Sequence, residues 1–213
     1  MIDLKLAQAI VDLEIPSFGR NQKNKSDSRS CVFRPRRLLS SPELLDYIGN
    51  RLADIVLEKC SSQAVVGLAT SGIAWAALAA ARAKVPMLYV RKQPEPDFGN
   101  DVIEGILPAD RRVVLVDDLL FTGESKRAAV RLLREHGLVV TDIVVIIDRQ
   151  LQRKSDGPPL QSAFDLEVHA LIRMTDIVEY MIERRAITPE QLDDLVADYR
   201  AFERWFPPDF MLR

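Results

Sequence analysis

The chain has 213 residues, of which 47% are hydrophobic, and its formal net charge at pH 7 is −2. This apolar content can fill a substantial core, and the near-neutral charge gives no reason to expect nucleic acid as the main partner. The longest apolar run, residues 73–81, is too short to cross a bilayer, and the amino terminus lacks the basic-then-apolar order of a secretory signal, so we expect a cytoplasmic protein.

The chain contains two cysteines, Cys31 and Cys60, and two histidines, His136 and His169. Two cysteines cannot form a disulfide framework, and neither belongs to a CxxC pair or lies at metal-ligand spacing from a histidine. We therefore predict structural thiols and no transition-metal site.

The first predicted element is a short amphipathic helix over residues 3–14, because Leu6, Ile10 and Leu13 share one helical face. Residues 20–37 then look irregular, and their seven basic side chains and one acid give a local charge balance of 7 − 1 = +6. One interpretation of this segment is a nucleic-acid-binding arm. A basic loop that faces a small anionic ligand is the simpler interpretation in a compact chain.

Helix and strand patterns alternate from Ser41 onward, where a serine cap precedes a proline at the first helical position. The predicted elements are, in chain order, a helix over 42–58, a strand over 64–68, a helix over 72–83, a strand over 87–90, a strand over 113–116, a helix over 125–136 and a strand over 142–147. This alternation predicts an α/β fold with a doubly wound, mostly parallel sheet that binds ligands at the carboxyl ends of its strands.

The C-terminal part of the chain predicts two helices over residues 175–202, separated near Thr188 and Pro189, which suit a helix cap and a first helical residue. Three aromatic residues near the terminus should fold back onto the body or onto a dimer partner: Trp205, Phe206 and Phe210. The chain thus divides into an N-terminal helix with a basic hood segment (1–40), an α/β core (41–174) and C-terminal helices (175–213).

The strongest functional signal is the stretch from Val113 to Ser125, VVLVDDLLFTGES. A buried strand ends there at Asp117 and Asp118, whose carboxylates can accept hydrogen bonds from vicinal ribose hydroxyls or bind hydrated Mg²⁺. After a loop over 119–121, the run Thr122-Gly123-Glu124-Ser125 brings hydroxyls and backbone N–H groups to the start of a helix, where a phosphate is favoured. The alternative is a strand-to-helix turn with an acidic cap and no ligand.

This stretch resembles the phosphoribosyl-pyrophosphate signature of the type I phosphoribosyltransferases, and nearly the whole chain is similar to the orotate phosphoribosyltransferases of that family. Four further stretches support the resemblance: Lys25-Ser26 with Ser30 and Phe33, the run Ser41 to Leu45, Asp148-Arg149-Gln150, and Val168 to Leu171 followed by Thr175-Asp176. The resemblance implies that Arg149 contacts the orotate ring. The other interpretation is a surface arginine paired with Asp148 or with another acid.

The chain departs from the family pattern in two loops. Ser71, next to Gly72, stands where the family has a lysine that touches pyrophosphate. In the mobile catalytic loop Arg91 and Lys92 match, but the family's next three conserved positions, Glu, Lys and His, hold other residues: Gln93, Glu95 and Asp97. These losses matter because negative charge builds on the leaving pyrophosphate, and fixed cations there supply much of the catalysis.

The resemblance implies transfer of a 5-phosphoribosyl group from 5-phosphoribosyl 1-pyrophosphate to a base, most favourably orotate, by a Mg²⁺-dependent homodimer. The catalytic residues would be Asp117, Asp118, Arg91 and Lys92, with the two aspartates binding the ribose hydroxyls directly or through Mg²⁺. The substrate-binding residues would be Thr122, Gly123, Glu124 and Ser125 at the 5′-phosphate, Lys25, Phe33, Ser71 and Gly72 around the pyrophosphate and base, and Arg149 at the acceptor.

Two alternatives remain open at the level of sequence. The altered loop fits a protein that binds the donor or a nucleotide without turnover, as a sensor or as the partner of a complete enzyme. It also fits a transferase for a different acceptor.

Overall fold

Strands and helices alternate along the chain, which a computed structural model describes over residues 2–19, 31–93, 102–152, 157–200 and, for the backbone alone, 204–205. The elements are, in chain order, α1 (Leu4–Asp12), β1 (Pro16–Phe18), β2 (Cys31–Phe33), a 3₁₀ helix (Pro35–Ser40), α2 (Pro42–Lys59), β3 (Ala64–Leu68), α3 (Ser71–Ala83), β4 (Met87–Val90), β5 (Ile103–Glu104), β6 (Arg112–Leu120), α4 (Glu124–Glu135), β7 (Val139–Asp148), β8 (Leu151–Gln152), α5 (Leu160–Phe164), β9 (Glu167–Arg173), α6 (Met174–Glu183), α7 (Pro189–Arg200) and β10 (Arg204–Trp205).

A six-stranded sheet of order β5-β4-β3-β6-β7-β9 forms the centre of the fold. The strands from β4 to β9 in this order run parallel, and β5 pairs antiparallel with β4. Strand β3 is buried throughout because α2 and α3 cover one face of the sheet and α4 covers the other. The predicted doubly wound, mostly parallel α/β sheet is therefore confirmed, and the carboxyl ends of β3 and β6 lie side by side.

The N-terminal and C-terminal segments pack on the same face of the sheet. Residues of α1, α2, α3, α6 and α7 share one buried apolar cluster. Strand β1 pairs antiparallel with β2, and the backbone N–H of Cys31 donates to the Asp198 carboxylate of α7 at 3.0 Å. This contact ties the beginning of the chain to its last described helix.

Residues 20–37 were predicted to be irregular, and the structure corrects this for residues 31–37, the part of the segment that it describes. Residues 31–33 form β2 and residues 35–40 form the 3₁₀ helix. The ladder between β1 and β2 has only three residue pairs, which is too short to produce a recognisable alternation in sequence. The rest of the basic segment, including Lys25, Ser26 and Ser30, lies outside the described residues.

Several element boundaries also differ from the prediction. Strand β6 continues to Leu120, because β7 runs beside it as far as Asp148, so Asp117 and Asp118 lie inside the strand and not at its end. Among the described residues, six further short or edge elements were not predicted: β1, β5, β8, α5, β9 and β10.

The predicted C-terminal helices are confirmed. Helix α7 begins at Pro189, and the hydroxyl of Thr188 accepts from the backbone N–H of Gln191 at 3.2 Å. The backbone of Trp205 pairs with Leu151, so this part of the terminus folds back onto the body, while Phe206 and Phe210 lie outside the described residues.

No helix in the described ranges combines the length and apolar character needed to cross a membrane.

Both thiols are protected by burial, and one of them lies beside other side chains of metal-ligating type. Burial raises the pKa of both Cys31 and Cys60 to about 12, as suits structural thiols. However, Cys60 lies together with Asp142 and His169, whose ligand atoms are all within 4.8 Å of one another. The fold thus brings together three side chains of metal-ligating type that the sequence separates widely, while the absence of a transition-metal site stays a prediction.

Candidate active site

Three adjoining cavities lie at the carboxyl ends of β3, β4 and β6. The central cavity, of about 610 Å³, contains Ser71, Arg91, Lys92 and Asp117 among its lining residues. The helix cavity, of about 480 Å³, is lined by residues at the start of α4. The hood cavity, also of about 480 Å³, is lined by residues 33–37 together with Ser71, Asp118 and Leu119.

The helix cavity contains all four residues predicted to hold a phosphate: Thr122, Gly123, Glu124 and Ser125. Gly123 caps α4 with φ of +81°, a left-handed conformation that favours glycine, and a Cβ there would lie 2.9 Å from a Leu160 methyl carbon. The unpaired N–H groups and the dipole at this helix start favour an anion. The local geometry therefore suits the predicted phosphate site.

The two carboxylates line different cavities. Asp117 and Asp118 are 6% and 7% exposed, and adjacent residues of an extended strand direct their side chains to opposite sides. Asp117 lines the central cavity and Asp118 lines the hood cavity, while Ser71 lines both. The backbone N–H of Asp118 also donates to Asp117 Oδ1 at 2.9 Å. A ligand that extends across Ser71 would therefore meet both acids.

Lys126 is a member of this site that the sequence analysis missed. Its ammonium donates to Asp117 Oδ2 in a buried ion pair and to the Leu119 carbonyl at 2.6 Å. These bonds hold the first turn of α4 against the end of β6. The sequence shows a lysine in the first turn of a helix that follows two acids. It does not show where the lysine side chain points, because that depends on the tertiary fold.

The acidic pair suits a divalent cation. Burial raises the pKa of Asp118 to about 6, and the negative charge of Asp117 adds to this effect, while the Ser71 hydrogen bond and the Lys126 charge oppose it. One lysine thus compensates two neighbouring carboxylates incompletely. Carboxylate oxygens are the ligands that Mg²⁺ prefers, so each acid fits the predicted ion from its own cavity, with Asp117 also serving Lys126.

We expect the raised pKa of Asp118 to appear in the pH dependence of stability. Between about pH 4 and pH 6 the folded protein holds a proton on Asp118 that the unfolded chain releases, so rising pH destabilises the fold through this group. Asp118→Asn should remove this contribution and raise the melting temperature at pH 7.5 by roughly 2–8 °C, with little change at pH 4. Thermal denaturation of both proteins from pH 4 to pH 8 tests this, and parallel curves would contradict it.

The start of α3 packs directly against β6. Ser71 is the first residue of this helix and follows the cis peptide bond between Ala69 and Thr70. A Cβ on Gly72 would lie 2.8 Å from both Asp117 Oδ1 and the Val116 carbonyl oxygen, so only glycine permits this approach. Gly72 therefore shapes the wall beside the carboxylates.

Two predicted cations, Arg91 and Lys92, lie at the end of β4 and line the central cavity. The Arg91 guanidinium contacts the Glu104 carboxylate of β5 at 2.8 Å. Arg36 is a third cation, and it lines both the central and the hood cavity, as Ser71 does. Gln93 is exposed, whereas Lys25, Glu95 and Asp97 lie outside the described residues.

Arg149 is 4% exposed and forms no surface ion pair with Asp148. Its guanidinium carbon lies 4.3, 4.6 and 5.3 Å from the ring centres of Phe33, Phe121 and Tyr199, and its Nε donates to the Tyr199 hydroxyl at 3.1 Å. Of these residues Phe33 lines the hood cavity, so Arg149 lies behind it. The sequence analysis missed Tyr199, which reaches this place from α7.

Comparisons with known proteins show the family of this chain. The family described as "Phosphoribosyl transferase domain" matches residues 36–167, more than half of the chain. The chain is 32% identical over 175 residues to an orotate phosphoribosyltransferase of Bacillus pumilus, covering 80% of each protein. A match to the orotate phosphoribosyltransferase of Levilactobacillus brevis reaches 38% identity but covers only 54% of this chain and 56% of that protein.

A solved structure of another protein also resembles this chain. The orotate phosphoribosyltransferase of Aeropyrum pernix superposes with a TM-score of 0.66 and 27% sequence identity, covering 84% of this chain and 98% of that one. The chain belongs to the type I phosphoribosyltransferase family, as the stretch from Val113 to Ser125 predicted.

Proposed function

We propose that this chain transfers the 5-phosphoribosyl group of 5-phosphoribosyl 1-pyrophosphate to orotate, giving orotidine 5′-monophosphate and pyrophosphate. The observation that carries this proposal is the order of the adjoining cavities, in which a helix start suited to a phosphate, two acids and a hood that contains Phe33 follow one another. A ribose between a phosphate and a base has the same order of groups. The named orotate phosphoribosyltransferases among its relatives support the choice of acceptor.

The donor would bind through its 5′-phosphate and its ribose. The N–H groups at the start of α4 and the hydroxyls of Thr122 and Ser125 would hold the phosphate. Asp117 and Asp118 would accept hydrogen bonds from the ribose hydroxyls and would also be the residues that hold Mg²⁺. That ion, when bound, supplies positive charge to the pyrophosphate.

The leaving pyrophosphate needs positive charge nearby. The bond between the anomeric carbon and the pyrophosphate oxygen breaks before the new bond to the base nitrogen is complete, so negative charge builds on the leaving group. Arg91 and Lys92 border the central cavity, where the pyrophosphate would lie. Arg36 lines the same two cavities as Ser71, the residue that stands where the family has a lysine. Its guanidinium can therefore lie beside that position. One such donor is worth on the order of 10²–10³ in rate, so Arg36 offsets much of that loss.

The acceptor would lie in the hood cavity. The Phe33 ring offers a face for a pyrimidine, and the buried Arg149 charge behind it favours an anionic ring acid. By its resemblance to the family we also place a second copy of the chain next to this site, with the catalytic loop of each copy reaching toward the other.

The relatives do not favour the second function, donor binding without turnover, and one contact alone would support it. Arg91 already contacts Glu104, and this ion pair competes with pyrophosphate for its positive charge. Binding at α4 and at the two acids does not depend on that arginine, whereas catalysis does.

One experiment separates the two functions. Purified protein is mixed with Mg²⁺, 5-phosphoribosyl 1-pyrophosphate and orotate, the loss of orotate is followed by absorbance, and donor binding is measured by calorimetry. Turnover supports the transferase, and donor binding without turnover supports the second function. Absence of both would refute both.

A further inference from the structure

A cluster of metal-ligating side chains lies toward the amino-terminal ends of the strands, away from the three cavities. Cys60 directly follows α2, Asp142 lies in the first half of β7, and His169 lies near the start of β9. Val144 is the register partner of His169, so Asp142 and His169 direct their side chains to the same face of the sheet. Helix α2 packs on this face and ends at Cys60.

The geometry of the cluster suits a single ion. The His169 Nε2 and Asp142 Oδ1 atoms are 2.9 Å apart, and the Cys60 sulfur lies within 4.8 Å of both. In a tetrahedral zinc site with bonds of about 2.0–2.1 Å, nitrogen and oxygen ligands are about 3.3 Å apart, so this pair needs to open by only a few tenths of an ångström. Asp142 is buried and His169 and Cys60 are partly buried, so one side remains open for a water ligand.

We propose that Cys60, Asp142 and His169 bind one Zn²⁺ ion, with water as the fourth ligand. Sulfur, imidazole nitrogen and carboxylate oxygen together form a donor set that suits zinc, whereas Mg²⁺ and Ca²⁺ prefer oxygen alone. Binding releases the thiol proton to solvent. The proton between His169 Nε2 and Asp142 Oδ1 also leaves, so that the neutral ring carries its proton on Nδ1 and Nε2 and the carboxylate each bind the metal. The ion would connect the end of α2 to β7 and to the edge strand β9, so its binding would stabilise the fold.

The site is tested on the full chain, free of any affinity tag, by titration with Zn²⁺ in the presence of excess Mg²⁺ to occupy the two acids of β6. We expect uptake of one equivalent of zinc and a rise in melting temperature of roughly 5–10 °C at free zinc a hundredfold above its Kd. Co²⁺ in place of Zn²⁺ should produce a near-ultraviolet charge-transfer band from the thiolate. These readouts do not depend on transferase activity.

The chain offers matched controls, because it has one further cysteine and one further histidine. Cys60→Ser should abolish the Co²⁺ thiolate band, and His169→Gln should abolish the zinc-dependent rise in melting temperature. Cys31→Ser and His136→Gln should retain both. Absence of the thiolate band in the unchanged protein would overturn the proposal even if a variant failed to fold, and so would equal zinc uptake in Cys60→Ser and Cys31→Ser.

Discussion

Replacing both acids of the site, in the variant Asp117→Asn with Asp118→Asn, is expected to weaken the binding of Mg²⁺-loaded 5-phosphoribosyl 1-pyrophosphate by roughly 10²–10⁴-fold. Both side chains are buried beside the central and hood cavities, where a lost hydrogen bond to a charged group typically costs about 1.5–3 kcal/mol. Calorimetry with the donor and Mg²⁺ measures this loss directly.

The matched control for this variant is a second pair of adjacent acids. Asp193 and Asp194 lie exposed on α7, so Asp193→Asn with Asp194→Asn makes the same change in net charge at the protein surface. Donor affinity should remain unchanged in this control. If the Asp117 and Asp118 variant retained normal affinity while folded, the role assigned to the two acids would be wrong.

Lys126→Met is expected to produce the largest loss of stability. It leaves Asp117 buried next to Asp118 without its cationic partner, and removing one member of a buried ion pair typically destabilises a protein by about 3–5 kcal/mol. For a chain of this size the melting temperature should fall by roughly 6–20 °C. Thermal and urea denaturation at neutral pH measure the effect.

A double-mutant cycle shows whether the loss arises from the ion pair. Asp117→Asn combined with Lys126→Met removes both charges and should recover most of the stability lost by Lys126→Met alone. If the two effects simply add, the ion pair does not couple them, and the destabilisation comes from lost packing of the lysine stem.

The grouping of the two acids with the start of α4 could be predicted from the sequence because these parts are close together in the chain. The apolar run from Val113 to Val116, the two acids and the start of α4 all lie within thirteen residues. Their arrangement depends on strand and helix geometry that local periodicity reveals. The helix caps at Ser41 and Thr188 were predicted for the same reason, since a cap bonds to a backbone N–H three residues away.

The remaining features depend on contacts between distant parts of the chain. Tyr199 reaches Arg149 from 50 residues away, and His169 reaches Asp142 from 27 residues away. The edge strand β9 has no clean alternation of buried and exposed positions, so its sequence does not distinguish it from other half-buried segments. Such contacts are determined by the packing of whole elements, which spacing in a single sequence does not reveal.

The surroundings of Arg149 have a consequence for how this protein can diverge. Phe33 precedes and Tyr199 follows the residues that match the family, which span 36–167. Both aromatic side chains therefore come from outside the matched range, whereas Ser71, Asp118 and Leu119 of the hood cavity, the proposed acceptor site, belong to it. Substitution of Phe33 or Tyr199 would therefore change the surroundings of Arg149 without altering the two acids of β6 or the start of α4.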